Sequence, residues 1–230
     1  MATINPIGYV LVTGGAGGIG SELCRLLPAV GFTPIVGFHR NEKEANLLAT
    51  ECGGLAVNID LGDDQSIAYA IEVMASLMGN TGSLAGVVLG ASPAPDLLPF
   101  MGITSEILLN QFRVNVVGSH LLLSGLIKEC FRKNKAGIVI GILTQALGSD
   151  AHLPVTGMSA YVIAKTALKS MLSVCAAEYP WLKIRTISPG FTKTKMLEVF
   201  DPRYLELAQT QKSFSSPQEI AQLIIKEILS

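Results

Sequence analysis

The chain is poor in charge. Asp, Glu, Lys and Arg make up only 15% of its 230 residues, and the formal net charge is −1. Such a balance offers no basic surface for nucleic acid or anionic lipid. Cysteine is scarce too. Cys24, Cys52, Cys130 and Cys175 show no paired spacing, so they read as buried free thiols rather than a disulfide framework or a zinc site. The three histidines are isolated, and no metal site is expected. No uncharged apolar run approaches the ~20 residues of a membrane span. The opening Met1-Ala-Thr-Ile-Asn-Pro6 lacks the basic region and apolar core of a signal peptide. The expectation is a cytoplasmic protein. Repeats, linkers and low-complexity tracts are missing as well, which leaves one domain over 1–230.

What the chain has in quantity is apolar side chain: 49% of residues, with a mean hydropathy of +0.45. That implies a sheet buried on both faces and further surface buried in an oligomer. The organising stretch is Thr13-Gly14-Gly15-Ala16-Gly17-Gly18-Ile19-Gly20. The apolar run Tyr9–Val12 before it reads as a buried strand. Ser21–Val30 after it has helical spacing at Leu23, Leu26, Leu27 and Val30. A strand, a glycine loop and a helix are the context of a dinucleotide-binding loop. Glycines allow the tight turn and close backbone approach, and the helix N-terminus presents free N–H groups to a pyrophosphate.

Further strands are predicted at Phe32–Phe38, Leu55–Ile59, Leu84–Gly90, Gly137–Leu143 and Lys183–Ile187. Helices are predicted at Glu42–Glu51, around Gln65–Met78, from Thr104 past Asn115, at Leu121–Phe131, at Ser159–Ala177 and at Gln218–Leu229. Asn41, Thr104 and Ser216 stand where helix N-caps belong. Alternating βα units with helical crossovers mean an α/β protein with one Rossmann-type, doubly wound parallel sheet of about six strands. The second strand ends in His39-Arg40, about twenty residues past Gly20, where an acid would hold the ribose 2′-hydroxyl of NAD. Arginine pairs bidentately with phosphate, so NADPH is expected rather than NADH. Asp60, ending the third strand, either bonds the adenine amino group or caps the next helix.

With Asn115, Thr144 and Tyr161-Val-Ile-Ala-Lys165 added to the glycine loop, the chain resembles the short-chain dehydrogenase/reductase family, and within it the 3-oxoacyl-carrier-protein reductases. The resemblance implies catalytic roles for Tyr161, Lys165, Asn115 and Thr144. It implies a cofactor site of Gly14, Ala16, Gly17, Gly18, Ile19, Gly20, His39, Arg40, Asp60, Leu61, Gly90, Ala91, Ser92, Pro189, Gly190, Thr192 and Thr194, joined by Tyr161 and Lys165. Lys165 would hold the nicotinamide ribose, and Asn115 a water of the proton relay. The sequence departs from the family in four places. The fourth strand ends in Leu89-Gly90-Ala91-Ser92 instead of Asn-Asn-Ala-Gly. Thr144 stands for the catalytic serine, with Ser149 as competitor. Gly17 replaces a common basic residue. The seventh strand is missing, since Ser230 follows the last helix.

Tyrosine has a pKa of ~10, so acid–base work near neutrality is expected to rely on the Lys165 ammonium to lower it. The segment 192–216 is expected to be a substrate lid, with Phe191, Met196, Phe200 and Tyr204 offering apolar contact. Lys128, Arg132, Lys133 and Lys135, with Lys183 near, form either a solvated rim or a dock for an acidic acyl carrier protein. The expectation is reduction of a 3-oxoacyl thioester. The alternatives are another small hydrophobic ketone or alcohol, or a non-catalytic NADPH-binding subunit. The helices Leu121–Phe131 and Ser159–Ala177 are expected to pair two copies into a homodimer, with Leu123 and Leu168 in the interface.

Overall fold

The strands are β1 (Gly8–Thr13), β2 (Phe32–Phe38), β3 (Leu55–Asn58), β4 (Leu84–Leu89), β5 (Ile138–Ile142) and β6 (Lys183–Ile187). In the computed structural model, which describes residues 7–80 and 82–230, they pair in parallel in the order β3-β2-β1-β4-β5-β6. The stretch 1–6, read above for a leader, lies outside the described residues. Continuous apolar runs form these strands because both faces are covered. Along β1, Val10 and Val12 face one layer of helices and Leu11 the other, as a pleated strand requires. The first layer is α1 (Gly18–Leu26), α2 (Glu42–Glu51) and α8 (Pro217–Leu229). The second is α3 (Asp64–Asn80), α4 (Ser105–Phe112), α5 (Ser119–Leu126) and α6 (Ser159–Glu178). Strand order reverses between β1 and β4, so a crevice opens beyond their carboxyl ends.

Local chemistry explains the helix ends. Thr104 Oγ1 accepts from Ile107 N, and Ser216 forms a reciprocal capping box with Glu219. Asn41 does stand before α2, but its side chain makes no capping bond. The first helix starts earlier than its apolar spacing suggests, at Gly18, because Gly17 is extended and serves as the N-cap. It then tightens into a 3₁₀ turn over Leu27–Val30, where Pro28 has no N–H to give.

The helix expected from Thr104 past Asn115 and the one expected at Leu121–Phe131 are one continuous rod. α4 runs through a π-helical turn (Arg113–Gly118) into α5, and a second π turn (Ile127–Phe131) ends it. Arg113 pairs with Asp64 and donates to Gly62 O, fixing this rod to the start of α3. A Cβ at Gly118 would collide with Leu61 O, so only glycine lets the rod lie this close to the end of β3.

The second helical layer also corrects the expected interface. Leu123 and Leu168 are buried in the core of the chain itself, against α3 and the sheet. α6 is long and apolar enough, by length and composition, to cross a membrane, but its buried face packs in this core. Among the described residues, the large apolar side chains left exposed on α4, its π turn and α6 are Leu109, Val117, Ile163 and Val174.

Candidate active site

The crevice between β1 and β4 widens into a cleft of about 1600 Å³. Every residue expected to hold the cofactor lines it, and so do Tyr161, Lys165 and Thr144. Gly14 has φ of +68° and lies against the Ala91 backbone. A side chain at Gly20 would strike Gly14 O, so the turn into α1 closes only with glycine there. α1 has no acidic residue in its first turn and no side-chain cap, so its N–H groups remain free to meet an anion. This cradle fits a dinucleotide pyrophosphate. Thr194 leans over it, against Gly18. Thr192 is buried, with Oγ1 donating to Gly190 O, and Pro189 O accepts from Gln145 N.

Thr13, quoted in the motif but given no role, ties the two halves of the crevice. Its Oγ1 accepts from Gly90 N at 3.0 Å and Ala91 N at 3.2 Å, and donates to Val88 O at 3.3 Å. At the adenosine end, His39 Nε2 stands 3.1 Å from Asp60 Oδ2, while Asp60 Oδ1 accepts from Gly62 N. Asp60 is therefore not the helix cap, and Asp63, which accepts from Gln65 N, takes that part. Arg40 is exposed and has no hydrogen-bonding or ionic partner among the described residues.

At the other end, α6 presents Tyr161 and Lys165 one turn apart on its buried face. Lys165 is only 1% exposed, and its Nζ donates to Ile142 O at 2.9 Å. No carboxylate meets it, and burial pushes its pKa down to about 7. Burial pushes the Tyr161 phenol up to about 12, while a hydrogen bond from the Thr144 hydroxyl pulls the other way, and less. The expected lowering of Tyr161 by a neighbouring ammonium is thus reversed in the chain by itself. The amine is 5.8 Å from the ring centroid, and the same desolvation disfavours both charged forms.

Thr144, two residues past β5 and the N-cap of a 3₁₀ turn, is the hydroxyl brought to Tyr161. Ser149 instead accepts from Ala151 N and bridges to His152 in the following loop. Asn115 lies behind the cleft wall, fully buried in the π turn. Gln111, one turn earlier, was not singled out in the sequence, though two amides at i and i+4 are a pairing signal. It too is fully buried and bonds Asn115.

The segment 192–216 crosses the mouth as a 3₁₀ turn (Lys195–Val199) and α7 (Pro202–Gln211), its ends tied by the Thr192–Ser215 bridge. Phe191, Phe200 and Tyr204 line the cleft but also pack on one another, Phe200 stacking on Tyr204 at 5.9 Å. Phe214, not singled out in the sequence, joins them 5.1 Å from Phe191. Lys212 reaches across to Gln145 Oε1 at 2.8 Å. The basic group Lys128, Arg132, Lys133 and Lys135 sits just ahead of β5, with Lys183 N bonded to Gly137 O beside it. That is the amino end of the sheet. The cleft is at the carboxyl end, beyond the ~15 Å rise of a five-residue strand.

The chain matches the family model for short chain dehydrogenases over residues 8–204. It belongs to that family, and is an NAD(P)-dependent oxidoreductase acting between CH–OH and C=O. It is 25% identical to a 2,5-dichloro-2,5-cyclohexadiene-1,4-diol dehydrogenase of Sphingobium indicum, over 94% of this chain and 87% of that one. It is 26% identical to a 3-oxoacyl-[acyl-carrier-protein] reductase of Bos taurus, over 93% and 88%. A solved 3-ketoacyl-(acyl-carrier-protein) reductase of Brucella melitensis, complexed with NADH, shares its fold at a TM-score of 0.83 and 21% identity, covering 96% of this chain and 90% of that one.

The buried lysine has a consequence for stability. Its folded value of about 7 lies below its ordinary 10.5, so the folded chain holds fewer protons than the unfolded chain between these values. The cost of burial is therefore full below pH ~7 and fades as pH rises toward ~10.5. At about 1.4 kcal/mol per pKa unit, Lys165→Met should gain a few kcal/mol at pH 6 and little at pH 10. Urea unfolding of both chains without cofactor measures this. An equal difference at the two pH values would show that burial of the charge is not the cause.

Proposed function

We propose that the chain is an NADPH-dependent carbonyl reductase whose substrate is a 3-oxoacyl thioester. The observation that carries this reading is the buried pair Tyr161 and Lys165, one turn apart, with the half-buried Thr144 hydroxyl bonded to Tyr161. Tyr161, a neutral phenol at working pH, is the acid that protonates the substrate's carbonyl oxygen. The Thr144 hydroxyl steadies the negative charge developing on that oxygen. Lys165 holds the nicotinamide ribose, and Asn115 a water of the relay that returns the proton to Tyr161. NADPH, when bound, supplies the hydride. Arg40 receives its 2′-phosphate, a reading supported by the partner-free guanidinium and by Asp60 being taken up with His39.

The cleft exceeds the ~300–1,000 Å³ of a typical ligand site, so it has room for a second molecule beside a dinucleotide. Its lid brings Phe200, Tyr204 and Phe214 together with Phe191 at the cleft, which suits an acyl chain. The named activity of the bovine relative favours the thioester, and that of the Sphingobium relative keeps a small cyclic ketone or alcohol as the second reading. The basic group ahead of β5 lies at the amino end of the sheet, away from the mouth. The cations at the mouth are Lys193, Lys195 and Lys212, and a carrier protein would be received there. Four free thiols support a cytoplasmic setting.

Tyr161→Phe keeps the ring and removes the transferable proton. NADPH consumption with acetoacetyl-coenzyme A should fall ~10²–10⁴-fold while NADPH binding is kept. Full activity in the variant would remove Tyr161 from the mechanism.

Arg40→Asp should weaken NADPH and improve NADH, since a carboxylate repels the 2′-phosphate and accepts from a 2′-hydroxyl. A lost charge-assisted contact is worth ~1.5–3 kcal/mol. Fluorescence titrations with both cofactors decide this, and an unchanged preference would make Arg40 a surface residue only.

The exposed Leu109, Val117, Ile163 and Val174 on the neighbouring helices α4 to α6 support an isologous homodimer through this face. Val174→Glu should then shift the light-scattering mass from dimer to monomer with the fold intact. A monomeric mass for the unaltered chain at micromolar concentration would refute the dimer.

A further inference from the structure

Two buried amides stand behind the Tyr161 site, and their hydrogen bonds run in one direction. Gln111 Nε2 donates to Ala94 O at 2.7 Å and to Asp96 Oδ2 at 3.3 Å. Both acceptors belong to the loop that follows β4. Asn115 Nδ2 donates in turn to Gln111 O and to Gln111 Oε1, both at 3.1 Å. Neither side chain has exposed surface. A primary amide has two N–H donors, so every donor in the pair is used. One acceptor is left over. Asn115 Oδ1 is buried with no protein donor in reach.

The orientation of each amide follows from its acceptors. Turning Gln111 over would aim its Oε1 at the Ala94 carbonyl and the Asp96 carboxylate, oxygen against oxygen. Turning Asn115 over would aim its Oδ1 at two oxygens of Gln111. Loop carbonyls therefore set Gln111, and Gln111 sets Asn115. Buried acceptors are rarely left unpaired, and an ordered water is the usual partner where the protein offers none. α6, which carries Tyr161 and Lys165, packs against the same π turn.

We propose that Gln111 is a positioning residue for proton delivery to Tyr161. It holds the Asn115 side chain by its N–H groups within the π turn that packs on α6, so that Asn115 keeps its place in the relay. The inference rests on the relay role given to Asn115 above. It explains why a fully polar side chain is kept in the core of α4, where leucine would pack without any polar group to satisfy. It also makes the loop after β4 part of what holds the relay in place, through the Ala94 carbonyl.

The experiment is a double-mutant cycle with acetoacetyl-coenzyme A and NADPH. Gln111→Leu should lower kcat about tenfold, with KM and NADPH affinity within twofold of the unaltered chain. In an Asn115→Ala background the same substitution should cost nothing more, because a residue acting through Asn115 has nothing left to act on. Should Gln111→Leu not fold, Gln111→Met takes its place. A readout free of turnover is the Asn115 side-chain amide in ¹⁵N-resolved NMR, slow to exchange in the unaltered chain and at least tenfold faster without Gln111. An unchanged kcat, a loss that persists in the Asn115→Ala background, or unchanged amide exchange would overturn the proposal. Full activity of Asn115→Ala alone would instead overturn the relay reading beneath it.

Discussion

Lys165 places an amine where water does not reach, with a single main-chain carbonyl, Ile142 O, to receive it. Much of the site follows from that one desolvated group. The α6 face around it is Ala160, Val162, Ala164 and Leu168, which presses the helix onto the sheet. The same lack of water that weakens the amine's hold on its proton strengthens that of the Tyr161 phenol. Burial alone thus keeps Tyr161 a neutral phenol before any ligand arrives, and moves it away from the near-neutral value that proton transfer favours. The fold carries the cost of the lysine, and a chain with 46 or so well-covered apolar side chains can carry it.

The sheet, its helical layers and the cleft were legible from period and punctuation. Apolar runs at Val10, Ile35, Val87 and Ile140 have no polar alternation because both faces are covered. Glycines at Gly14 and Gly20 stand where backbone must approach backbone. The pair Tyr161 and Lys165 was legible because a helical turn forces them onto one face. What failed to show was mostly partnership. Leu123 and Leu168 have the spacing of a buried face, but spacing does not say whether the cover is the same chain or another copy. The basic residues precede β5, whose first residue pairs with Lys183, and only strand direction reveals that this is the amino end of the sheet, away from the cleft. The sign of the Tyr161 shift depends on how much water the fold removes, which no residue pattern records.

Several polar side chains near the cleft turn out to be engaged with each other, which accounts for some departures from the family pattern. Thr13 gathers the Gly90 and Ala91 amides, so the end of β4 stays fixed although it carries no asparagine. Asp60 is bridged to His39 and to Gly62, which leaves Arg40 as the unengaged charge at that edge. The aromatic side chains of segment 191–214 pack on one another, so the lid has a small core of its own.

The π turn over Arg113–Gly118 has a consequence for how this protein can change in length. A π turn holds one residue more than an α turn of the same span. Deleting one residue there would restore plain α geometry and leave Leu122, Leu126 and Phe131 on the face they now hold. Deleting one residue from the α stretches on either side would instead turn every side chain beyond it by roughly 100° and take those three out of the core together. The loop Gly148–Gly157 has no such register to keep. A change of one residue in length is therefore tolerable at the rim of the cleft and, in its back wall, only at the π turn, with Asn115 retained.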